Sequence, residues 1–176
     1  GVQTCALPIY VTKFRWTDSM RRVLNRGDRL LRTEVGSPDF SEERLELFNR
    51  HRMQRGLEQG DGEYAPYDYQ GFLVSTCCES TYELRFSLDG VLVGLSVIDL
   101  GATGISAVYT YFEPDQSKLS LGTYSVLKQI QLARTMDLKW VYLGLYVREN
   151  SHLNYKSRFL PQERYIRGEW IEFLSP

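Results

Sequence analysis

The residues best suited to chemistry in this 176-residue chain lie where strands are expected to end and helices to begin. Lys118-Leu-Ser120-Leu-Gly122-Thr-Tyr124 places small side chains at a helix start just after a strand. The unpaired N–H groups of a first helical turn bind phosphate or carboxylate. A plain helix cap explains the same residues without a ligand. Asp99 and Glu113 each follow a strand-forming run, so each is a candidate proton acceptor, with turn capping the equal alternative for Asp99. Tyr109 and Tyr111 lie two apart, so on a strand they share one face and either line a pocket or pack. Arg21 and Arg22 sit near a helix start, with Lys13, Arg15, Arg26, Arg29 and Arg32 close in sequence. Guanidinium forks pair with phosphate and carboxylate alike, and a solvated helix face is the plainer account.

Several chemistries are disfavoured. No Ser-His-Asp or Cys-His pattern marks a nucleophile. The three cysteines, Cys5, Cys77 and Cys78, form no CxxC, and with only His51 and His152 beside them no metal site is expected. Both histidines read as surface or helix-end residues. No apolar run approaches the roughly 20 residues that span a bilayer. Hydrophobic residues make up 43% and charged residues 24%, the mix of an ordinary globular domain. The net charge of −1 hides a segregation, because Arg85 is the only basic residue over 56–116. Basic ends around an acidic middle pair within the fold, or form a cationic face for phosphates beside an acidic pocket for an amine.

The elements that position these residues follow from periodicity and punctuation. Residues 17–26 read as a helix capped by Thr17 or Asp18 and ended by Gly27. A strand over 30–35 follows. A second helix opens at Ser37-Pro38-Asp39, with Glu42 completing a capping box, and stops at Gly56. Residues 56–66 read as a polar loop, and 67–74 is ambiguous between helix and strand. The middle is a meander of 81–88, 91–98 and 105–112, with Asp89-Gly90 as a two-residue hairpin turn. A helix from Ser120 to about Met136 and a buried strand over 140–147 make residues 105–147 a β-α-β unit with parallel strands. A short helix over 150–159 and a strand over 165–173 complete an α/β mixed sheet. A strand-to-helix crevice is expected near 112–122.

This order is similar to that of acyltransferases of the GNAT fold. Their Arg/Gln-x-x-Gly-x-Gly/Ala loop holds CoA pyrophosphate, and here only Gly122 of it is present, so acetyl-CoA is not the expected donor. Four separated runs make the resemblance specific: Ile105-Ser-Ala-Val-Tyr-Thr-Tyr-Phe-Glu-Pro-Asp115, Ser120-Leu-Gly-Thr-Tyr-Ser125, Val141-Tyr-Leu-Gly144 and Tyr155-Lys-Ser-Arg-Phe-Leu-Pro161. In order and spacing they resemble the C-terminal part of the aminoacyl-tRNA–protein transferases, on the bacterial aspartate/glutamate leucyltransferase branch. Phe14 to Arg22 and Leu47 to His51 are similar to the helices that precede it. The pattern departs at Leu145-Tyr146, where Tyr-Trp is usual, at His152-Leu153, where Lys-Met is usual, and at Trp16 and Asp18.

The resemblance implies transfer of an amino acid, leucine on this branch, from aminoacyl-tRNA to the α-amine of a protein beginning with Asp or Glu, marking it for N-degron proteolysis. Its partners would be aminoacyl-tRNA and such proteins, its location the cytoplasm, and its cofactors none, since the tRNA is a co-substrate. Asp99, Glu113 and Tyr109 become the candidate catalytic residues. Arg21, Arg22, Lys118, Ser120, Gly122, Lys156 and Arg158 become candidate tRNA or anion ligands. Tyr111, Tyr142, Gly144 and Tyr155 would form the aminoacyl pocket. Residues 1–9 resemble the translation of a sequencing-adapter tail and are expected to lie outside the fold, leaving 10–176 as the domain, expected to be truncated at its N-terminus so that the family's preceding cysteine-containing segment is missing. An N-acyltransferase with another donor and a non-catalytic RNA- or degron-binding module are the alternatives.

Overall fold

The computed structural model describes residues 3, 4, 6–56, 62–75 and 78–176, with side chains from residue 6 onward. Cys5, Cys77 and part of the polar loop after Gly56 lie outside the described residues.

Two short N-terminal strands, β1 (Gln3–Thr4) and β2 (Pro8–Tyr10), precede α1 (Asp18–Leu30) and β3 (Leu31–Gly36). Then come α2 (Glu42–Gln54) and α3 (Pro66–Tyr69), the latter running on as a π turn over Gln70–Val74. The meander is β4 (Thr81–Leu88), β5 (Val91–Leu100) and β6 (Gly104–Phe112), followed by α4 (Leu121–Thr135). The chain ends with β7 (Trp140–Tyr142), β8 (Tyr146–Val147), β9 (Gln162–Ile166) and β10 (Glu169–Phe173). Eight strands form one mixed sheet in the order β10-β9-β2-β7-β6-β5-β4-β3. Among the described residues only β6 and β7 pair in parallel, as a β-α-β crossover through α4 requires.

Local chemistry accounts for the helix boundaries. Thr17 Oγ1 accepts the Met20 N–H at 3.2 Å and starts α1. Ser41 Oγ accepts the Arg44 N–H at 3.2 Å and starts α2, two residues beyond the expected capping box, with Glu42 and Glu43 favouring the positive end of the helix. Asp39 caps nothing and bonds the Phe40 N–H instead. Gly27 does not end α1. A Cβ there would sit 2.2 Å from the Tyr124 ring, so the glycine permits α1 to cross α4 closely.

The helices pack on both faces of the sheet. Leu24 of α1 and Leu121, Tyr124, Leu127 and Ile130 of α4 join Leu84, Phe86 and Ile98 in the larger core. Leu45, Leu47 and Phe48 of α2 join Tyr69, Leu95, Val97 and Tyr111 in the second. Full burial of such a side chain contributes about 1.5–3 kcal/mol, so these faces hold the layers together. A bulge re-aims β6. Ile98 pairs with Ala107 and Val97 with Tyr109, which leaves Val108 as the extra residue. Ile105 and Ala107 therefore face the larger core, while Tyr109 and Tyr111 face the second despite equal spacing.

Three expectations are corrected here. The strand expected over 140–147 divides at Gly144, whose φ of 72° no extended strand contains, and its second half pairs with β1 outside the main sheet. The C-terminal strand is a hairpin, β9 and β10, turned at Arg167-Gly168 with φ of 51° and 91°. Residues 7–9 belong to the fold: Leu7 and Ile9 are fully buried, and β2 fills the sheet between β7 and β9.

Candidate functional site

β6 runs on beyond its partner. It pairs with β7 only over Gly104–Ser106, and β7 then follows the N-terminal segment away from it. The Leu143 N–H donates to Leu7 O at 3.2 Å and the Gly144 N–H to Ala6 O at 3.0 Å. The two strands splay, and between them opens a cleft of about 820 Å³. Its walls are β6 from Ala107 to Phe112, the start of α4, the end of α2 and the segment Ser151–Arg158.

Lys156 holds the splay open. Its side chain is buried, and its ammonium donates to Leu143 O at 2.8 Å and Leu145 O at 2.7 Å, one carbonyl on each side of Gly144. Burial lowers the Lys156 pKa to about 8. At the opposite wall Ser120 adopts a left-handed conformation with φ of 52° and makes no side-chain cap, so the first N–H groups of α4 face the cleft without one. The Arg158 guanidinium donates to Thr123 Oγ1 across the gap. A Cβ at Gly122 would press on the Phe112 ring at 3.2 Å, so the glycine lets the helix start sit against β6.

Cations dominate the cleft. Arg52, Arg55, Lys156 and Arg158 line it, and among the described residues no carboxylate does. His51, expected at the surface, is only 3% exposed, and its Nδ1 lies 3.2 Å from the Phe112 N–H and 3.0 Å from the Phe112 carbonyl. Burial, with the Arg55 charge adding to it, lowers the His51 pKa to about 4, so the ring is neutral at physiological pH and caps the free edge of β6. His152 remains exposed, with Nδ1 3.4 Å from Arg55.

Ser120, Gly122, Tyr109, Tyr155, Lys156 and Arg158 are brought together on the cleft. The other candidates lie elsewhere. Asp99 accepts from Thr81 Oγ1 and pairs across the sheet with Ser106, at the far end of β6. Glu113 is ion-paired with Arg50 at 3.1 Å, outside the lining. Tyr111 is fully buried in the second core with its hydroxyl 2.7 Å from that of Tyr69. Arg21 and Arg22 turn back onto their own helix start, donating to Trp16 O and Asp18 O. Lys118 offers its carbonyl to Arg26, and Tyr142 and Gly144 are not among the lining residues. Sequence reasoning passed over Arg52, Arg55 and Gln129. Gln129 carried a signal: a polar residue one turn after Ser125 on the apolar stripe of α4. Among the described residues no three His, Cys, Asp or Glu side chains assemble as a metal site, and no helix is long and apolar enough to cross a membrane.

Comparison with solved structures finds the same mixed α/β fold in other proteins. L-PGS from Bacillus licheniformis superposes with a TM-score of 0.62 at 15% identity, over 85% of this chain and 47% of that one. A conserved protein of unknown function from Staphylococcus epidermidis gives 0.57 at 11% identity, over 98% and 58%. Sequence relatives are closer. An aspartate/glutamate leucyltransferase of Acinetobacter baumannii is 34% identical over 95% of this chain. One from Stenotrophomonas maltophilia is 33% identical over 97% of it. The chain spans 60% of the Acinetobacter protein's length and 70% of the Stenotrophomonas protein's. Residues 43–166, which contain the meander, α4 and the whole Lys156 segment, match the family described as arginine-tRNA-protein transferase, C terminus, and the chain belongs to that family.

Proposed function

We propose that the cleft is the transfer site of an aminoacyl-tRNA–protein transferase. It would move leucine from leucyl-tRNA to the α-amine of a protein whose first residue is Asp or Glu, in the cytoplasm, as the first step of N-degron proteolysis. One observation carries the reading: four cationic side chains and an uncapped helix start converge on a cleft that no carboxylate lines among the described residues, beside a free strand edge. Phosphates of a tRNA 3′ end and an acidic first side chain both demand such an environment. The names of the relatives supply leucine and the acidic acceptor.

The chemistry asks little of the protein. The donor ester is already activated. The acceptor ammonium first loses a proton, its nitrogen then bonds the ester carbonyl carbon, and the tetrahedral intermediate expels the ribose oxygen, which takes up the second proton that the nitrogen gives up as it becomes the amide. Positioning and stabilisation of the oxyanion supply the acceleration. Ser120 and Gly122 belong to the helix start that faces the donor's negative charge, and Arg55 and Arg158 are placed for the acceptor's carboxylate. Tyr109 is the candidate in the wall that can bear a proton. Its burial raises its pKa, which suits a hydrogen-bond donor rather than a base. The Phe112 N–H and C=O point to His51 rather than to β5, and antiparallel alternation turns those of Thr110 the same way, toward the cleft. An extended acceptor N-terminus has an edge to pair with there.

The test is transfer of labelled amino acid from leucyl-tRNA or arginyl-tRNA to peptides beginning with Asp, Glu or Ala. Leucine transfer to Asp and Glu but not Ala is expected. Arginine transfer would keep the class and overturn the branch. No transfer from either donor, by this chain and by the chain joined to the N-terminal part of the Acinetobacter relative, would overturn the reading.

A further inference from the structure

The floor of the cleft holds a polar island that the proposed chemistry has not used. Gln129 on the inner face of α4 lines the cleft and is fully buried, as are Ser125 one turn before it and Ser96 in the middle of β5. The Gln129 amide nitrogen donates to Ser96 Oγ at 2.8 Å and Ser125 Oγ at 3.2 Å. Thr110 Oγ1 lies 2.7 Å from Ser96 Oγ and 3.3 Å from Ser125 Oγ. Every polar group in this cluster has a partner except one, because the Gln129 side-chain oxygen, Oε1, is buried with none. The other buried side-chain atoms without partners belong to Arg44, Arg85 and Arg164, none of which lines the cleft.

Folded proteins leave few buried polar atoms unpaired, because each one forfeits the hydrogen bonds it made with water. Val126, Leu143 and Ala107 line the same cleft, so an apolar residue at position 129 would have apolar company in its wall and avoid that cost. An acceptor oxygen kept in an uncharged, apolar floor asks for a ligand with a hydrogen to give. Phosphates have no such hydrogen at neutral pH and are drawn to the cations. In an aminoacyl ester the carbonyl has none, and neither does an aliphatic side chain. The donor end has three groups that can donate, the adenine amino group, the free ribose hydroxyl and the α-amine, and of these only the α-amine adjoins the aliphatic side chain that an apolar wall receives.

We propose that Gln129 is a donor-binding residue: its Oε1 accepts a hydrogen bond from the α-ammonium of the aminoacyl group, while Val126, Leu143 and Ala107 receive the side chain. The assignment rests on the transfer reading for the identity of the ligand and deepens it. Ser96, Thr110 and Ser125 are positioning residues. They fix the amide so that nitrogen faces the serines and oxygen faces the ligand.

The experiment measures binding, so it does not depend on turnover. The probes are two stable adenosine amides: 3′-deoxy-3′-(leucylamino)adenosine, and its counterpart with a 4-methylpentanoyl group, which lacks only the α-amine. The wild-type chain is expected to bind the first about tenfold to a hundredfold more tightly, the value of one hydrogen bond to a buried acceptor. Gln129→Met, close in volume but without the amide, is expected to bring the ratio near one. Gln129→Glu, which keeps an acceptor oxygen, is expected to restore the preference. Thermal unfolding of both variants confirms that they fold. An equal ratio in the wild type, a preference that survives in Gln129→Met, or no binding of either probe would overturn the assignment. Leucyl transfer is read separately. Transfer without the preference sinks the assignment and leaves the enzyme reading standing, and the preference without transfer does the reverse.

Discussion

Lys156 gives the sharpest handle on how the cleft is held open. The residue is 9% exposed, and its ammonium joins two carbonyls on either side of Gly144. In Lys156→Met those carbonyls lose hydrogen bonds from a charged donor, worth about 1.5–3 kcal/mol each. Methionine in turn avoids the burial of a charge. The folded pKa of about 8 against the ordinary 10.5 sets that burial cost at about 3 kcal/mol. The net destabilisation near neutral pH is therefore about 0–3 kcal/mol. The pH dependence separates the two contributions. Below about pH 8 lysine is charged in both states and the burial cost is present in full. Between about 8 and 10.5 the unfolded chain binds the proton and the folded chain does not, so wild-type stability rises with pH through this window. Urea unfolding at about pH 7 and about pH 9.5 should show the wild type gaining about 2 kcal/mol relative to Lys156→Met. A stability difference that stays constant over that range would refute the claim that a charged lysine is buried there. A variant clearly more stable than the wild type at neutral pH would refute the carbonyl clamp.

Three further outcomes are expected. Arg158→Gln should lower the transfer rate about tenfold at physiological salt and leave the slope of log affinity for tRNA against log salt unchanged, because the guanidinium serves the acceptor's carboxylate; a slope reduced by about one would reassign it to a tRNA phosphate. Glu113→Gln breaks only a partly exposed pair with Arg50, so stability should change by less than about 1 kcal/mol and transfer should persist, whereas loss of a general base would slow the chemical step about a hundredfold or more. Gly27→Ala places a methyl 2.2 Å from the Tyr124 ring and should cost about 1–3 kcal/mol in denaturant unfolding; a neutral result would mean that α1 and α4 separate without penalty.

The legible part of this protein was local. Alternation marked β4, β5 and β6, Asp89-Gly90 marked their first turn, and the apolar stripe marked α4, because each pattern lies within a few residues of itself. The motifs around Ser120 and Tyr155 came from resemblance, and the fold brought both to one cleft. What the sequence left open depends on contacts between distant segments. The bulge at Val108 takes Tyr109 and Tyr111 off the face that their spacing from Ile105 predicts. The break at Gly144 depends on which strand the chain follows next, and it follows Ala6, Leu7 and then β1, within the nine residues that the sequence alone places outside the fold. Asp99 reads as a crevice carboxylate until the antiparallel register carries it to the opposite end of β6. His51 reads as a surface ring until β6 closes over it. Gln129 reads as one polar residue on an apolar stripe, and only the placement of Ser96, Thr110 and Ser125 around it shows an amide with its oxygen unsatisfied. Side-chain period and turn chemistry are properties of neighbours along the chain. Burial, register and hydrogen-bond satisfaction belong to neighbours in space, and those were decided only when the sheet closed.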